Sequence, residues 1–64
     1  MDKYLELLTS KLEDRKKRLN EFLCGGGAPD FAEYKSLCGE IRGLTSAQME
    51  IEDLVRKLKE LDDE

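Results

Sequence analysis

Three consecutive glycines, Gly25-Gly26-Gly27, divide an otherwise helix-forming chain into arms of about 22 and about 34 residues. If both arms are helices that fold back on each other, the second outruns the first by roughly three turns. That surplus carries Leu54, Val55, Leu58 and Leu61 on one side, with no apolar partner in the same chain. A stripe of this kind is an interaction surface, because four large apolar residues in register are not scattered surface leucines. The length mismatch therefore predicts a hairpin that is part of something larger.

The chain has 64 residues, enough for one domain with a small core. Chains this short reach useful stability through a disulfide, a metal, very regular helix packing or oligomerisation. Charged residues make up 41% and aromatics 6%, a composition suited to solvent-washed helices. The sequence holds no histidine and only two cysteines, which speaks against a metal. In a hairpin, Cys24 ends the first arm and Cys38 lies more than a turn along the second, about 10 Å or more away, which is too far for a bridge. Two free thiols suit a reducing cytoplasm, and both read as small semi-buried fillers.

In the first arm Leu5, Leu12 and Leu19 recur every seven residues, with Leu8 and Phe22 at the companion positions and Arg15 interrupting them. Asp2 suits the N-cap, and Gly25 suits the left-handed residue that closes the other end. Glu13 with Lys17, and Asp14 with Arg18, form acid-before-base pairs on the outer surface. Asp30-Phe31-Ala32-Glu33 has the spacing of a capping box and opens the second arm. There Leu37, Leu44, Ile51 and Leu58 keep a seven-residue spacing, joined by Tyr34, Ile41 and Val55, with Gln48 interrupting.

These patterns predict an all-α chain. It is a single antiparallel hairpin over residues 1–64, with a helix at about 2–23, a glycine-rich turn at 24–30, a longer helix at about 31–61 and a frayed acidic tail at 62–64. Packed antiparallel, Leu5 lies near Gln48 to Ile51, and everything beyond about Glu52 overhangs. The bare stripe then favours oligomerisation into a helical bundle, or docking on a larger protein. The alternative is a compact three-helix bundle broken at Gly43-Leu44-Thr45, with Thr45 and Gln48 as a second capping box. Against it, the heptad passes Gly43 without changing phase, and Gly39 and Gly43 sit four apart, where small residues allow close backbone approach.

Composition also bears on chemistry. Without histidine, and in a fold too thin for a ligand-sized pocket, no catalytic constellation, cofactor site or small-molecule substrate is expected. The glycines lack the flanking strand and Lys-Ser/Thr of a phosphate loop and read as a turn. The net charge of −4 disfavours both nucleic acid and an anionic membrane surface. No apolar run is long enough to span a bilayer, and no secretory signal opens the chain. Lys11, Arg15 and Arg18 share a stripe that can touch phosphates or an acidic protein. The plainer reading is a solvated face, with Arg15 laying its stem over Gly39 and pairing with Glu40.

The stretch Asp30-Phe31-Ala32-Glu33-Tyr34-Lys35-Ser36-Leu37-Cys38-Gly39-Glu40-Ile41-Arg42-Gly43-Leu44 resembles a segment of small, mostly uncharacterised proteins of tailed bacteriophages. In those proteins an acid-aromatic-Ala-Glu-Tyr opening leads into Cys-Gly-x-Ile-Arg-Gly-Leu. More loosely, the likeness continues through Ile51-Glu52-Asp53-Leu54 to the acidic end, about half of the chain. The family's genes often lie among those for portal, capsid and other morphogenesis proteins. The resemblance thus implies a virion- or head-assembly role in the host bacterial cytoplasm or in the particle, with partners that are the chain itself or a larger phage protein. A phage product that docks on a host protein and blocks it is the alternative, and a nucleic-acid accessory role is the weaker one. The family assigns no catalytic or binding residue.

Overall fold

The computed structural model of the chain describes residues 3–62, and within them it is a helical hairpin. Helix α1 spans Lys3–Cys24 and helix α2 spans Phe31–Asp62, 22 and 32 residues respectively. The proposed N-cap Asp2 and the tail residues Asp63 and Glu64 lie outside the described residues; at Asp62 the chain is still helical.

The turn is a Schellman motif centred one residue later than the sequence suggests. The N–H of Gly26 donates to the carbonyl of Leu23 at 3.1 Å, and that of Gly27 to Phe22 at 2.9 Å. Gly26, not Gly25, takes the left-handed conformation, with φ 77°. Gly27 makes room in a different way: a Cβ there would lie 2.5 Å from the ring of Phe22, so a side chain at this position would push that half-exposed ring aside. Gly26→Ala should therefore cost about 1 kcal/mol through backbone strain alone, since nothing crowds the added methyl. Urea unfolding at matched protein concentration measures it, and an unchanged midpoint would contradict the left-handed assignment.

Helix α2 starts as its sequence dictates. The Asp30 carboxylate accepts the N–H of Glu33 at 2.8 Å, and the Asp30 carbonyl accepts that of Tyr34 at 3.0 Å. The helix then runs unbroken through Gly43. Thr45 does not cap a third helix; its hydroxyl donates to the Ile41 carbonyl at 2.9 Å, one turn back within α2. The compact three-helix alternative is thereby excluded.

Half-buried positions trace the contact between the helices. On α1 they are Leu5, Thr9, Leu12, Lys16, Leu19 and Leu23; on α2 the matching series is Leu37, Ile41, Leu44, Gln48, Ile51 and Val55, of which Gln48 alone is fully buried. Both series step by four and three residues, the spacing of an antiparallel seam. The α2 seam matches the sequence pattern from Leu37 to Val55, while Tyr34 and Leu58, at the two ends of that pattern, lie beyond the seam and are exposed. The α1 seam does not match, because its companions are Thr9, Lys16 and Leu23, while Leu8, Arg15 and Phe22 lie on the flank. Leu5, Leu12 and Leu19 allow a companion on either side, and the bonds that Gln48 makes to Glu13 and Lys16 roll α1 toward that side.

The seam ends also correct the register. Leu5 and Val55 close it at one end, Leu23 and Leu37 at the other. The surplus length of α2 therefore extends past α1 at both ends, by more than a turn at each. Val55 is half-buried and belongs to the seam, not to the overhang. Gly39 and Gly43 provide no close approach either, as a Cβ at each would meet nothing within 4 Å.

Candidate functional site

The sequence points to no catalytic centre, and among the described residues no three metal-ligating side chains gather. What the hairpin does present is a surface. Among the described residues no apolar side chain is fully buried; the one buried residue there is Gln48, 8% exposed. Two helices side by side shield only one stripe of each other, so every apolar residue off that stripe stays in water.

The seam has a polar middle. Lys16 Nζ donates to Gln48 Oε1 at 2.8 Å, and Gln48 Nε2 donates to Glu13 Oε2 at 2.7 Å. The amide thus satisfies an ammonium with its oxygen and a carboxylate with its nitrogen, which settles which way it points. Such a layer penalises any sliding of the helices, since a slip would leave Gln48 buried without partners. Near it, the Thr9 hydroxyl is buried without a hydrogen-bond partner.

One flank is marked by Arg15, whose Nε and Nη2 reach Glu40 Oε1 at 3.0 and 2.5 Å. This is the pairing the sequence suggests, but the stem does not cover Gly39, beside which a Cβ would find open space. Heptad steps from Arg15 give Leu8 and Phe22; steps from Glu40 give Ala47, Leu54 and Leu61. These residues share the flank. Leu8, Phe22, Leu54 and Leu61 are 43%, 49%, 47% and 65% exposed, and Leu58, between the seam and this line, is 45% exposed.

Of the four stripe residues predicted from sequence, Leu54, Leu58 and Leu61 are therefore exposed together, and Val55 is drawn into the seam. The residues missed were Leu8 and, at the open end, Tyr4. Their signal was present: Leu8 lies level with Leu54 once the seam ends are aligned, but sequence alone assigns it to the core line. The electrostatic stripe Lys11, Arg15 and Arg18 is also exposed. Its central guanidinium is already held by Glu40, which weakens it as a phosphate clamp.

At the turn end Phe31 and Tyr34 stack, with ring centroids 6.4 Å apart. The hydroxyl of Tyr34 is pushed above its ordinary value of 10.0, first by its hydrogen bond with the Cys38 thiol, then by the charge of that group, partial burial and the more distant Cys24. Both cysteines are free, Cys24 exposed and Cys38 half-buried. The fold favours the neutral phenol, so this contribution to stability is intact below pH 10.0 and fades as pH rises through the raised value. Ultraviolet titration should show one tyrosine ionising late, and Cys38→Ala should return it toward the ordinary range.

Comparison of the chain with protein-family models, with curated proteins and with solved structures finds no match. No described helix is long and apolar enough to cross a membrane.

Proposed function

We propose that the chain is a small structural component that works by helix-face contacts, in the assembly of a phage head or virion, and that it performs no catalysis. The observation that carries the binding part is the exposed line Leu8, Leu54, Leu58 and Leu61 on a hairpin that has no fully buried apolar side chain among its described residues. Each of these leucines is about half covered already, so burying the rest contributes roughly 1 kcal/mol apiece, and the four together are comparable to the stability of so small a fold. The assembly part draws on the resemblance of residues 30–44 to small phage proteins.

The test is quantitative mass spectrometry of purified virions from cells expressing the chain at its natural level. A fixed copy number per particle supports the assembly role, and Leu54→Glu/Leu58→Glu should abolish incorporation. Absence from particles, with co-purification on a host protein instead, would replace assembly by host-directed docking.

A further inference from the structure

The exposed flank also carries charge, and the charge is sorted between the helices. On α1 the flank and its outer edge bear Lys11, Arg15 and Arg18; on α2 they bear Glu40 and Glu50, with Lys57 as the one base, beyond Leu54 at the open end. Arg15 and Glu40 are bonded across the hairpin, and Lys11 lies level with Glu50 when the seam ends are aligned. Leu8 is likewise level with Leu54. The flank therefore carries bases on its α1 side and acids on its α2 side, with the two leucines facing each other toward the open end; Arg18, level with Gly43, has no acid opposite it within the hairpin.

A surface built this way is complementary to itself under a two-fold axis running along the hairpin. That operation lays α1 of one copy on α2 of the other, base against acid and leucine against leucine, with every neighbouring helix antiparallel. Reversing one copy would bring the basic α1 flanks together and set the leucines of the open end against the Arg15–Glu40 region.

We propose that the flank is covered by a second copy of this chain, with both turns at the same end, giving a two-fold four-helix bundle. This rests on reading the flank as an interaction surface and names its first occupant. The pairs Leu8 with Leu54 and Arg15 with Glu40 of the opposite copy form its centre, and the α2 overhangs remain for a further partner.

Light scattering over a concentration series tests the stoichiometry. The wild type should weigh twice 7.4 kDa, and Leu8→Glu/Leu54→Glu should shift the association midpoint by at least a hundredfold in concentration. The control Leu7→Glu/Met49→Glu changes two equally exposed residues off the flank and should remain dimeric. Monomerisation by the control to the same degree would overturn the assignment of the flank. Orientation is read from a nitroxide at Lys59→Cys, in a chain with Cys24→Ser and Cys38→Ser. Turns at the same end place the two labels within about 25 Å, whereas a reversed copy separates them by roughly 40 Å. The longer distance overturns the arrangement. A wild-type monomer with full helical circular dichroism refutes the second copy while leaving the flank to a foreign partner; a monomer without helical signal overturns both readings.

Discussion

Alanine at both Gly39 and Gly43 should raise the unfolding free energy by about 1–2 kcal/mol, since each glycine costs a helix interior roughly 0.5–1 kcal/mol relative to alanine. The reason is local. Both residues lie inside α2, neither has a positive φ, and an added methyl meets nothing within 4 Å. In a domain of this size each kcal/mol moves the thermal midpoint by roughly 4–8 °C, so the pair is readily measured. Gly43 borders the exposed flank, so Gly39→Ala alone isolates the propensity effect from any change in association. If the helix instead ended at Gly43 in a left-handed residue, Gly43→Ala would lower the midpoint. The experiment thus separates the long hairpin from the three-helix alternative by the sign of one shift.

Gln48→Leu should stabilise the hairpin by about 1 kcal/mol or more and make its packing less unique. Leucine at a position 8% exposed adds roughly 1.5–3 kcal/mol of apolar burial. Against that stand two hydrogen bonds to charged groups, whose loss is softened because Glu13 is exposed and Lys16 half-buried, so both recover water. What disappears is the penalty for sliding, since an all-apolar seam of similar heptads tolerates neighbouring registers. The measurements are a urea midpoint and an amide NMR spectrum. A higher midpoint with doubled or broadened resonances supports this account. A midpoint lowered by more than 1 kcal/mol would mean that the polar layer is a net source of stability.

Much of the fold was legible along the chain because its signals are local. Asp30 and Glu33 mark a helix start through backbone bonds formed within one turn, and the run of three glycines marks the place where the chain reverses most cheaply. The α2 seam was readable because Ile41 and Val55 complete the line of Leu37, Leu44 and Ile51, while the other side begins with the charged Glu40 and the small Ala47 before Leu54. The α1 seam was not. Leu5, Leu12 and Leu19 can be completed by Leu8 and Phe22 or by Thr9, Lys16 and Leu23, and hydrophobicity favours the first set. The second prevails because Gln48, a residue on the other helix, bonds to Glu13 and Lys16, and because Phe22 fills the space beside Gly27. Neither contact has a signature within α1 itself.

The same division applies to the surface. By itself the sequence determined a helix-forming chain split by glycines into unequal arms with apolar residues to spare, because helix periodicity and chain length are properties of the backbone and of local side-chain spacing; that the longer arm stays one helix through Gly43 was decided by the structure. Only the tertiary structure decided where those residues lie. The register set by the seam moved Val55 under α1, divided the overhang between the two ends, and left Leu8 beside Leu54 on one flank with the Arg15–Glu40 pair. Register depends on contacts between residues far apart in sequence, and a shift of one turn changes every neighbour while leaving each helix as favourable as before.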